Sequence, residues 1–139
     1  MVGLLLHITL FSSLLFNGNS LFDTNFIGKH KDCIISTIKE QHKTLKLNTA
    51  VVNDTYNYLK FEDKINEVTV LFFLTKDDKC KMVRLMADYS NFNDYLEELN
   101  MKLKLVKSNF WQYEDNKTTY IVNLDEGDWF FTITIKEQD

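Results

Sequence analysis

Proline is absent from this chain, arginine occurs once, at Arg84, and there are only four glycines and two cysteines. Four scattered glycines leave no phosphate-cradling loop. The three histidines, His7, His30 and His42, form no His-Glu-x-x-His pair, and no Gly-x-Ser-x-Gly nucleophile elbow occurs. His30 stands three residues before Cys33, a ligand-like spacing on a helix. No second pair completes a four-ligand set, so neither a metal nor a cofactor is expected. A basic excess is missing too: 16 Lys and Arg face 20 Asp and Glu, a formal net charge of −4 with pI near 5.4. Nucleic-acid binders carry a basic face, so this balance gives no reason to expect one.

Apolar side chains are plentiful. Hydrophobic residues make up 45% of the chain and aromatics 14%, eleven of them Phe. That composition supports a packed core and argues against disorder, and 139 residues give room for one domain.

The N-terminal run from Val2 to Phe16 is apolar, and no charged side chain appears before Asp23. At about 1.5 Å per residue it falls short of a hydrocarbon core of about 30 Å, so no stable membrane span is expected. Its length suits the apolar region of a secretory signal peptide, although only His7 and the amino terminus supply positive charge ahead of it. Gly18-Asn19-Ser20 supplies a small-x-small pattern. Cleavage is expected after Ser20, giving a signal peptide of residues 1–20 and an exported domain of residues 21–139, periplasmic or extracellular. Cys33 lies too far downstream for a lipid anchor.

Export raises the question of a Cys33–Cys80 disulfide. It would close a loop of about 48 residues and contribute roughly 4 kcal/mol in the chain-entropy picture. Two separate buried thiols are the other reading.

Periodicity places a helix from Lys29 to about Lys43, with Ile34, Ile38, Gln41 and Leu45 on one stripe. Strands are expected at Thr49–Asn53 and Thr55–Phe61, then a turn through Glu62–Asn66. Val68, Val70, Phe72 and Leu74 alternate with Thr69, Leu71 and Phe73, a strand expected to be buried on both faces and central. A hairpin leads into Lys81–Tyr89. A second helix, N-capped by Ser90, carries Phe92, Leu96, Leu99 and Leu103. Strands at Leu105–Tyr113, Thr118–Leu124 and Trp129–Ile135 close the chain, the last with Trp129, Phe131, Ile133 and Ile135 on one face. The expected fold is α+β: an antiparallel sheet of about seven strands with two helices packed on one face, in the order α-β-β-β-β-α-β-β-β. One helix-and-sheet pattern occurs twice without any repeat of sequence.

The aromatics Tyr56, Tyr58, Phe110, Trp111 and Tyr113 could form a platform on an open sheet face. Trp111 and Tyr113 share parity with Lys107 and Asn109, which marks them as the expected exposed pair. Arg84 alternates with Met82 and Met86 on one strand face. With no catalytic motif, the favoured class is a non-enzymatic binding protein using an open sheet face or a sheet–helix groove, its partner an unidentified protein or small ligand. A secreted inhibitor or immunity-type factor acting through the acidic turn Asp125, Glu126 and Asp128 is the alternative. A thiol enzyme pairing Cys33 with His30 ranks below both. In a glycosylating secretory pathway, Asn53-Asp54-Thr55 and Asn116-Lys117-Thr118 are acceptor sequons.

Overall fold

The computed structural model describes residues 20–49 and 57–139. The expected signal peptide up to residue 19, all but the first residue of the strand expected at Thr49–Asn53, and the first two residues of that expected at Thr55–Phe61, Tyr56 among them, lie outside that range.

Helix α1 spans Lys31–Gln41. His30 caps it, its Nδ1 accepting the Asp32 N–H at 3.2 Å, and the His42 N–H closes it on the Ile38 carbonyl at 2.8 Å. These caps fall inside the expected Lys29–Lys43. Ile34 and Ile38, four residues apart, are its fully buried stripe. Helix α2 spans Phe92–Lys102, and the Leu103 N–H ends it on the Leu99 carbonyl at 3.0 Å. Ser90 is not its cap. Ser90 belongs to a 3-10 turn over Tyr89–Asn91, and there the Asp88 carboxylate accepts the Ser90 N–H at 2.9 Å.

Among the described residues eight strands follow as β1 (Lys46–Leu47), β2 (Tyr58–Asp63), β3 (Val68–Leu74), β4 (Cys80–Asp88), β5 (Lys104–Lys107), β6 (Phe110–Asp115), β7 (Thr118–Glu126) and β8 (Phe130–Glu137). They form one antiparallel sheet in the order β1-β2-β3-β4-β8-β7-β6-β5. The α+β class and the two helices match expectation. Strand β1 matches none of the expected strands, and the run read as one strand over Leu105–Tyr113 is cut into β5 and β6 by a turn at Ser108–Asn109. Asn109 takes a φ of 62° there, a left-handed conformation that Asn tolerates better than most residues.

Ile34, Ile38 and Leu99 join Phe61, Phe72, Trp111, Phe131 and Ile133 in a single core, which places both helices on one face of the sheet. Among the described residues the other face has no such cover. Consequently β3 is not buried on both sides: Val68, Val70 and Phe72 are buried, whereas Thr69, Leu71 and Phe73 are only half-buried. Nor is it central, since the middle pair is β4–β8.

The halves are related by an approximate two-fold through that middle pair. Leu47, Phe61, Val70 and Leu85 pair in one row across β1–β4. Leu105, Trp111, Val122 and Ile135 pair in the equivalent row across β5–β8. The seam obeys the same operation, with Leu85 opposite Ile133 and Val83 opposite Ile135. Both helices also end on equivalent bonds, at Ile38 and Leu99. The sequences share only the pattern of apolar positions that this geometry demands.

Candidate binding face

Alternation along each strand assigns the side chains of the uncovered face. One row runs Lys60–Leu71–Arg84–Thr134–Asn123–Phe110, and the next runs Tyr58–Phe73–Met82–Lys136–Ile121–Gln112. Toward the β2–β3 turn comes Glu62–Thr69–Met86–Thr132–Asp125. Tyr58, Leu71, Phe73, Met82 and Met86 cluster toward β2–β4, with Ile121 and Phe110 beyond Thr134 and Lys136; all seven are half-buried, and no helix among the described residues covers them. Arg84 lies 5.6 Å from the Phe73 ring centroid, and Tyr58 packs on the same ring at 6.0 Å. The Arg84 guanidinium thus stands against an aromatic ring. Lys60 pairs with Glu62 at 3.1 Å, and Lys107 sits 5.4 Å from the Phe110 centroid.

At one end of this face the β7–β8 turn projects Trp129, which is 83% exposed, beside Phe130 at 46%. A shallow concavity of about 360 Å³ lies there among Glu67, Thr69, Met86, Asp88, Trp129 and Phe130. The Tyr89 hydroxyl donates to the Gly127 carbonyl and ties the turn to the 3-10 segment. Burial, and then the charges of Glu126 and Asp128, hold the Tyr89 hydroxyl above its ordinary pKa.

The sites expected from sequence divide between the faces. Tyr58 and Arg84 lie on the open one, and Tyr56 lies outside the described residues. Trp111, expected to be exposed, is 1% exposed in the core, its indole N–H donated to Asn100 Oδ1 at 2.9 Å. Tyr113 shares that covered face, donating to Asn25 Oδ1 at 3.1 Å and stacking on Tyr120 at 5.0 Å. The parity shared with Lys107 misled because the turn at Ser108–Asn109 breaks the alternation between Lys107 and β6. Trp129 fails in the opposite sense. It precedes the first residue of β8 and turns outward instead of joining Phe131 in the core.

Cys33 and Cys80 are not bonded. Cys33 is exposed on α1, whereas Cys80 is buried at the start of β4. Burial pushes the Cys80 thiol up to about 11, against a weaker opposing contact with the Met82 carbonyl. His30 spends Nδ1 on the helix cap. Among the described residues no group of three or more His, Cys, Asp or Glu side chains could hold a metal ion, and no helix is long and apolar enough to cross a membrane.

On the covered side, a groove of about 460 Å³ runs between the C-terminal end of α1, the β2–β3 turn and the first half of α2. Its polar groups serve the fold. Asp63 accepts the N–H groups of Ile65 and Asn66, and Glu98 pairs with Lys102 at 3.0 Å. His42 Nε2 is buried without a partner among the described residues, and burial lowers its pKa against the opposing charge of Asp23. Burial, then the charges of Glu98 and Asp63, push the Tyr95 hydroxyl up to about 12.

No protein family, no curated protein and no solved structure matches this chain.

Proposed function

We propose that this is an exported, non-enzymatic binding protein whose working surface is the open face of the sheet. One observation carries the reading: an eight-stranded sheet packs both its helices on one side and leaves Tyr58, Leu71, Phe73, Met82, Met86 and Ile121 half-buried on the other. Apolar surface left uncovered among the described residues, here interrupted by Arg84 and Lys136, is a form that interaction sites take. Sites for photocrosslinking at Leu71 and Ile121, compared with Lys39 on the outer side of α1, test it in the producing cell. Adducts concentrated at the two sheet positions are expected, and equal or absent adducts would contradict it. Export rests on the N-terminal apolar run and the Gly18–Ser20 pattern. The intact mass of the native protein should correspond to residues 21–139, and a full-length mass would count against export.

A second reading, inhibition of another protein through the acidic turn, draws on Trp129 and Phe130, because exposed aromatics beside Asp125, Glu126 and Asp128 resemble interface anchors. Reversing those three charges should then abolish binding to the inhibited protein while Tm stays unchanged.

A further inference from the structure

We propose that the partner of the open face is a second copy of this chain, docked face to face with strand directions reversed. The inference rests on the open face being the binding surface. It comes from the order of charges along the strands. At the end holding the β2–β3 and β7–β8 turns stand Glu67, Asp88, Asp125, Glu126 and Asp128, with Lys64 as the cation of the β2–β3 turn. The register places Asp88 opposite Phe130, and Asp125 opposite Thr132, at this end. Further from that end the sign changes on β4 and β8, the edge strand β5 carries Lys104 and Lys107, and Glu114 on β6 is the carboxylate of this region. Arg84 stands opposite Thr134, Lys136 lies between Met82 and Ile121, and Lys104 lies opposite Gln112. Lys60 and Glu62 neutralise each other at one edge.

A face that is acidic at one end and basic toward the other complements itself under only one kind of two-fold. Rotation about an in-plane axis perpendicular to the strands lays each strand over its counterpart, end reversed. With the axis between the Arg84 and Met86 rows, Phe130 lies over Lys136 of the second copy, Asp88 lies beside that same Lys136, and Glu62 lies over its Lys60. At the centre Leu71 lies over Thr69 and Met86 over Arg84 of the second copy, as in aligned sheet packing. Rotation about the strand direction would instead stack carboxylate on carboxylate, which is repulsive. The area is sufficient. At about 3.3 Å per residue and 4.8 Å between strands, the eight strands present roughly 800 Å² per copy, close to the ~800 Å² per partner of a stable interface. The same operation brings the exposed Trp129 of each copy over the basic end of the other, where a cation–π contact is available.

Sedimentation of the purified chain from 1 to 500 µM tests this, with two charge-reversed variants at exposed positions. One carries Asp125→Lys and Glu126→Lys, the other Lys104→Glu and Lys136→Glu. The wild-type chain should form a reversible dimer, and each variant alone should lose at least about tenfold in affinity. An equimolar mixture should recover a dimer near wild-type strength, because the reversed ends complement each other. Circular dichroism checks that both variants fold. A dimer indifferent to both reversals uses another surface and overturns the assignment. A chain monomeric at 500 µM overturns self-association, while the open face as a binding surface stands or falls separately by the crosslinking contrast between Leu71 and Lys39.

Discussion

The indole of Trp111 fills the centre of the second half's core row, and its N–H has one partner, Asn100 Oδ1. Trp111→Ala should therefore cost about 3–5 kcal/mol, a Tm fall on the order of 10 °C in thermal unfolding. An unchanged Tm would return Trp111 to the surface. Asp63 illustrates the opposite kind of residue, a charge held inside. Burial works to raise its pKa, but hydrogen bonds from Asn66, Thr44 and Ile65 outweigh this and leave it lowered. A carboxylate depressed in the folded state contributes stability above its ordinary value of about 3.9, and that contribution drains away as pH falls through the folded value. Asp23, held down first by Lys102, and Asp88, held down by the Ser90 N–H, act in the same sense. His42 adds to this: its lowered pKa makes protonation favour the unfolded chain as pH falls below about 6.5. Stability should thus fall on the acid side of neutrality, slowly at first and steeply below about pH 4. Asp63→Asn should flatten the steep limb in chemical denaturation run as a function of pH, and an unaltered limb would show that Asp63 is not one of the groups responsible.

At the level of elements, the two helices were readable because burial at every third or fourth residue has no other explanation, as Ile34, Ile38 and Leu99 show. Strand identity was readable from alternation. Which face of each strand was covered was not, because a helix-covered face and an open one can both be apolar: Phe72 and Phe73 are adjacent, and only their neighbours in space distinguish them. Single turn residues decided the rest. Asn109 splits one expected strand into β5 and β6, and that split moved Trp111 to the covered face. The β7–β8 turn decided Trp129. The Gly127 N–H donates to the Phe130 carbonyl at 2.9 Å, and a Cβ on Gly127 would meet that same oxygen at 2.8 Å. Gly127→Ala must open this turn, at a cost on the order of 1–2 kcal/mol by overpacking. It should also move Trp129 from its exposed position, a displacement visible as a changed emission maximum. Full retention of stability and emission would mean that the turn does not depend on the missing side chain.

For the molecule as a whole, the two-fold arrangement means that neither half closes its own sheet. The seam β4–β8 joins them, and the core row of each half continues across it through Leu85–Ile133 and Val83–Ile135. The helices can shield only one surface of such a sheet, so a sidedness in which Trp111 is sealed and Trp129 stands at an acidic open edge follows from the same architecture. Collisional quenching of the two tryptophans tests that sidedness most directly. About half of the emission should be accessible, and caesium should quench it more efficiently than iodide, because Asp125, Glu126 and Asp128 surround the exposed indole. Accessibility of both tryptophans or of neither, or a preference for iodide, would contradict the arrangement of the two faces and the acidic edge from which the binding surface is drawn.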